Sequence, residues 1–250
     1  MKKRYVIAVL TLGAVFIAVY AAIESGILKD FIGRRTAKEG ISVIKHFPFS
    51  DNSALREWDE KVFHKSVEYK IESEGGESYI HAVSSGSCSA MYYKLDMESY
   101  AKPVLSWKWK VIDFPSKKGY DDLLNKEEDD FAARMYVIFP ALFFSKSRVL
   151  EYVWARDLEV GTISSSPYSD NIKLIVAQSG HLNEAGKWVT EERDIIDDYV
   201  TAFGEKPKLK IGAIAFMCDS DSTSSKAEAS FDDIKLFYLH EDNELIELKK

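Results

Sequence analysis

The sequence predicts an all-β domain, a two-sheet antiparallel β-sandwich of jelly-roll type with one short helix, set behind an N-terminal transmembrane helix. Three observations carry that fold class. Short runs rich in β-branched and aromatic residues recur along the chain, with apolar positions at a period of two. No strand–helix alternation of the kind that builds a parallel sheet is visible. A clear helical period occurs once, in EERDIIDDYVTAFGE.

In chain order, MKKR is followed by an uncharged run from Tyr5 to Ile23, the arrangement of a basic n-region before an apolar core. A cleavable signal carries about 7–15 apolar residues and a spanning helix needs roughly 20. Residues 1–23 are therefore expected to be a signal-anchor, although Ala18, Ala21 and Ala22 would also permit cleavage. Lys2, Lys3 and Arg4 should stay in the cytoplasm, which puts the rest of the chain outside it. Residues 24–40 sustain neither period and read as a linker. Residues 41–250 then form one β-sandwich domain, since all-β domains of about 200–250 residues are ordinary.

Within the domain, KSVEYKIESEGGESYIHAVSSG reads as a hairpin around Gly75-Gly76, because a two-residue turn demands positive φ. In VLSWKWKVI, Leu105, Trp107, Trp109 and Val111 share one face, so both tryptophans are expected in the core. RMYVIFPALFF, LEYVWA, VGTIS, NIKLIVAQSG, KLKIGAIAFMCD and SFDDIKLFYL supply further strands. The helix is expected where Ile195, Ile196, Tyr199, Val200 and Phe203 recur, with Gly204 at its C-cap. Cys88 and Cys218 lie in separate strands, and the sequence leaves open whether they bridge or stay free.

The ordered series PVLSWKWKV, DDFAARMYVIF, YVWA, VGT, SSPY, GKW, ERDIIDDYVTAFGE, IGAIAFMCDSDST and FDDIKL resembles the bacterial family catalogued as Domain of Unknown Function 3047, from about Trp58 to Phe237. The resemblance implies an exported or membrane-attached protein with no established activity. It also implies a closing strand like that of galactose-binding-like sandwiches. This chain departs from the family at Cys218, where a hydroxyl residue is usual, and at Ser222 and Ser224, which replace the outer residues of an Asn-Thr-Gly turn.

The net charge of −7 argues against a nucleic-acid partner. No G-x-S-x-G, H-E-x-x-H, P-loop or G-x-G-x-x-G motif occurs, and the histidines at 46, 64, 81, 181 and 240 form no i, i+4 pair. Asp219, Asp221 and Asp232 are the metal candidates, on the expectation that one hairpin brings them together around a structural calcium; no other cofactor is expected. The EF-hand pattern nevertheless fails there in both registers, so turn chemistry is the competing account. For a ligand, Tyr152 and Trp154 are the preferred contacts, because Arg156 and Asp157 follow at once and suggest a strand end. Trp188 and Tyr168 stand on or beside loops, and Arg134 could orient a carboxylate through its planar fork, a pair with a neighbouring aspartate of DDFAARMY being the competing account. The resulting expectation is a membrane-anchored, extracytoplasmic module that binds carbohydrate or another cell-envelope component. The alternatives are a polysaccharide-processing enzyme using a carboxylate pair and a structural or protein-interaction domain.

Overall fold

Alternating apolar residues in short runs can bury one face only by packing two sheets together, and that is the arrangement in the computed structural model. It describes residues 41–51, 53–99, 102–180 and 186–239. The expected anchor and linker lie outside these residues. Among the described residues no helix is long and apolar enough to cross a membrane.

The strands are β1 (Ile41–Phe47), β2 (Asp59–His64), β3 (Glu68–Glu74), β4 (Glu77–Ser85), β5 (Cys88–Met97), β6 (Pro103–Asp113) and β7 (Arg134–Phe139). They continue as β8 (Arg148–Ala155), β9 (Ile163–Ser166), β10 (Ser169–Ser179), β11 (Val189–Asp194), β12 (Ile211–Asp219) and β13 (Lys226–Leu239). One sheet has the order β11-β6-β13-β4-β3, with β1 also pairing β13; the other runs β2-β5-β12-β7-β8-β10-β9. All pairs are antiparallel except β8 and β10. The chain leaving β8 first forms the edge strand β9, then returns between the two, so β10 opposes β9 and runs with β8.

The Gly75-Gly76 hairpin is present, with φ of 62° and 90° at the two glycines and Glu74 opposite Glu77. Trp107 and Trp109 lie wholly inside the sandwich, where Trp107 meets Tyr152 at 5.3 Å and Trp109 meets Trp154 at 5.6 Å between ring centroids. The helix α1 (Ile195–Phe203) starts at Asp194, whose carboxylate accepts from the amides of Ile196 and Asp197, and ends at Gly204 with φ of 73°. The four residues before it, Glu191 to Asp194, are paired in β11. Cys88 and Cys218 are both free. They face opposite sides of the sheet: Cys218 joins the inner core, whereas Cys88 lies 3.8 Å from the sulfur of Met217.

Two departures from expectation shape the site. β12 and β13 are not a hairpin; they belong to different sheets, because the Ser220–Ser225 turn carries the chain across the sandwich. Within β13, Ala229 and Phe231 point inward and so do Ile234 and Leu236. Asp232 and Asp233 fill the break in alternation as a bulge, with Asp233 at φ of 49°.

The sandwich therefore has two distinguishable ends. The proximal end gathers the start of β1, the end of β13, the β7–β8 loop and α1, tied across the layers by Arg148 to Tyr199 and by Tyr238 to the carbonyl of Glu98. The distal end gathers the start of β7, the end of β12 and the turn after it.

Candidate functional site

Arg134 opens β7 on the outer side of the seven-stranded sheet, since Met135 and Val137 face inward. Its Nε donates to Asp219 Oδ1 at 2.8 Å and its Nη2 to Asp219 Oδ2 at 2.7 Å, the fork-to-fork geometry that favours arginine over lysine. Nη1 donates to Glu151 and lies 3.5 Å from Asp129, whose carbonyl accepts from Nη2 at 2.6 Å. Tyr136 donates to Glu151 from the same face. Asp130, fully buried, accepts from the Ser222 amide and from the amide and hydroxyl of Thr223, so it fastens the approach to β7 to the turn after β12. Burial pushes the carboxyl of Glu151 up while Arg134 opposes the shift. All the hydrogen-bonding sites of the guanidinium are engaged within the chain, which leaves no fork to present to a ligand.

Asp219, Asp221 and Cys88 converge at this distal end, with ligand atoms within 4.8 Å of one another. This donor set does not fit calcium. Calcium takes six to eight oxygens, whereas here a thiol supplies one donor and both Asp219 oxygens are held by Arg134. Asp232 is not part of the group, because β13 lies in the other sheet. The expected three-carboxylate cluster is thereby corrected to an acidic turn closed by an arginine.

The aromatic candidates divide. Tyr152 and Trp154 face the core at 0% and 1% exposure, so the expected exposed pair at a strand end is also corrected. Arg156 and Asp157 do end the strand, but Asp121 and Gly119 of the long β6–β7 connection close over it through hydrogen bonds to Arg156. The Tyr152 hydroxyl is spent on Asp198 of α1, at 2.8 Å. Tyr168 is part-buried against the same connection, donating to the carbonyl of Lys126, and burial pushes its phenol up.

Trp188 is different. It precedes β11 and keeps 37% of its surface exposed on the outer side of the six-stranded sheet. Its ring meets Tyr79 of β4 edge-on at 5.4 Å between centroids. The Lys110 ammonium lies beneath both, 4.6 Å from the Tyr79 centroid and 4.9 Å from that of Trp188. Glu74 approaches the same ammonium at 3.6 Å, so the lysine works as a support for the two rings.

Asp232 stands beside this pair, opposite Lys108 on one side and one residue beyond the Phe231–Ile80 pairing on the other. It is 8% exposed, and its Oδ1 has no hydrogen-bond partner. Burial pushes its carboxyl up, opposed by the Asp233 amide and by Lys108. A carboxylate oxygen excluded from water and left unpaired costs free energy. Ser230 and His81 continue the same face, joined at 3.3 Å. Reading the sequence alone picked out Trp188 and Asp232 but neither Tyr79 nor Lys110. The alternation of β4 and β6 marks both as outward, yet only the strand order β6-β13-β4 makes them neighbours.

Against known proteins, the chain matches the family model described as protein of unknown function (DUF3047) over residues 56–235. No curated protein matches it. Among solved structures it is similar to a family 11 carbohydrate-binding module from Clostridium thermocellum in complex with a β-1,3-1,4-mixed-linked tetrasaccharide: 13% identity, 80% of this chain, 96% of that chain, TM-score 0.41. It is also similar to the xyloglucanase domain of NopAA from Sinorhizobium fredii in complex with cellobiose: 12% identity, 80% and 94% of the chains, TM-score 0.37. A third is the K1 cleaved adhesin domain of Lys-gingipain from Porphyromonas gingivalis W83: 9% identity, 78% and 95%, TM-score 0.33. Scores this low carry neither a ligand nor an activity from those proteins to this one.

Proposed function

The chain belongs to the DUF3047 family of proteins of unknown function, and we propose that its domain binds carbohydrate on the outer face of the six-stranded sheet, held outside the cytoplasm by residues 1–23. The observation that carries the reading is the exposed indole of Trp188 edge-on to Tyr79, with the Asp232 carboxylate on the same face of the sheet. A sugar ring offers an apolar C–H face to an exposed indole and hydroxyl donors to a carboxylate, so one ligand uses both features. Lys110 holds the rings apart from the sheet and His81 and Ser230 extend the polar floor. The Arg134 cluster takes the structural part, locking the β12–β13 turn to β7.

Affinity electrophoresis of the protein in gels containing soluble envelope and storage polysaccharides tests this. At least one polymer should retard the wild type, and Trp188→Ala should lose most of the retardation without change in urea midpoint. Retardation that survives Trp188→Ala and Asp232→Ala together would move the site elsewhere.

A further inference from the structure

The β7–β8 loop exposes two large apolar side chains side by side, Leu142 at 69% and Phe143 at 70%. This is a tied turn, not slack chain. The Ala141 amide donates to Ser147 Oγ at 2.9 Å, the Lys146 amide to the Phe143 carbonyl at 2.7 Å, and the Asn171 side chain to the Ser145 carbonyl at 2.8 Å. With its polar backbone engaged, the loop presents its tip outward and cannot easily fold the two side chains onto the sandwich.

The loop lies at the proximal end, where β1 begins at Ile41 opposite Leu239. Forty residues precede Ile41, among them the uncharged run Tyr5 to Ile23. Any tether through that run meets the domain at the end that carries the apolar tip. Lys146 flanks the tip; Lys206 and Lys208 are exposed on the connection after α1, where Lys208 pairs Glu205 at 3.0 Å, and α1 itself reaches the base of the loop through Tyr199, whose hydroxyl accepts from Arg148 at 3.1 Å. An apolar tip with a lysine at its flank matches a bilayer surface, where the two apolar side chains enter the acyl boundary and the ammonium stays among the headgroups.

We propose that Leu142 and Phe143 dock into the lipid surface to which the chain is tethered, fixing the domain upright with the Trp188 face clear of the membrane. The proposal rests on the anchored reading. Docking of this kind is weak alone and becomes effective when a tether raises the local concentration.

The test uses the full chain in phosphatidylethanolamine–phosphatidylglycerol vesicles whose acyl chains carry bromine. Phe143→Trp and, as a second probe, Leu142→Trp are compared with Tyr120→Trp at the distal end and with the wild-type background. Brominated lipid should quench the added emission at 143 and 142 at least twofold more than that at 120. If the protein stays with the vesicles through carbonate washing but 143 and 142 are quenched no more than 120, docking is overturned and the anchor stands. If the protein washes off, anchor and docking fall together.

Discussion

Arg134 brings one positive charge among the carboxylates of Asp219, Glu151 and Asp129, all but excluded from water. Removing one partner of a buried pair leaves the others uncompensated, so Arg134→Met should destabilise the domain by about 3–5 kcal/mol. Arg134→Lys should recover little, since an ammonium cannot make the fork to Asp219. Urea midpoints check both. A second residue, Glu191, lies on the edge strand β11 opposite Trp107, and burial pushes its carboxyl up to about 7. The folded state then binds more protons than the unfolded one between pH 4.5 and 7, so stability falls as pH rises through that window. Glu191→Gln should remove that fall, on the order of 1–2 kcal/mol once screening on the open side of the group is allowed for. Equal pH slopes for variant and wild type between 5 and 8 would refute it. The sequence showed part of this: the neighbouring aspartate that DDFAARMY offers Arg134 is present in Asp129, at 3.5 Å, whereas the bidentate partner lies 85 positions on and nothing local marks Glu191.

Among the elements, β6 and α1 were the most legible, because each is specified by its own period. The period-two face of β6 buries Trp107 and Trp109 as expected. Trp107→Ala should cost about 3–5 kcal/mol through the cavity it leaves. Tyr152→Ala should cost a comparable amount, since that ring is buried against Trp107 and its hydroxyl holds Asp198 of α1. Chemical denaturation separates this from a surface role, for which the Tyr152 variant would unfold like wild type. Asp194→Ala should cost about 1 kcal/mol, because it leaves two amides of the first turn without their acceptor. The expected hairpin from Met217 to Leu239 was the element that failed. Its turn residues are compatible with a tight reversal and with a crossover alike, and only the burial of both faces of β12 distinguishes them.

For the whole molecule, the two-sheet class followed from short alternating runs, whereas strand order did not, because it depends on pairings far apart in sequence. The ligand face suffers from the same limit: Tyr79, Asp232, Lys110 and Trp188 come from four segments that only the sheet assembles. The domain has one end that receives the chain at Ile41 and another closed by the Arg134 cluster, with the Trp188 face on its flank. Of the five tryptophans, Trp58, Trp107, Trp109 and Trp154 are buried and Trp188 is exposed. Indole N–H signals in a proton–nitrogen correlation spectrum therefore report on the face separately from the core. Titration with oligosaccharides of whichever polymer retards the protein should shift the Trp188 signal, identified by its loss in Trp188→Phe, saturably and well ahead of the other four. A bound oligosaccharide that leaves the Trp188 signal in place, or that shifts the core tryptophans instead, would contradict the account.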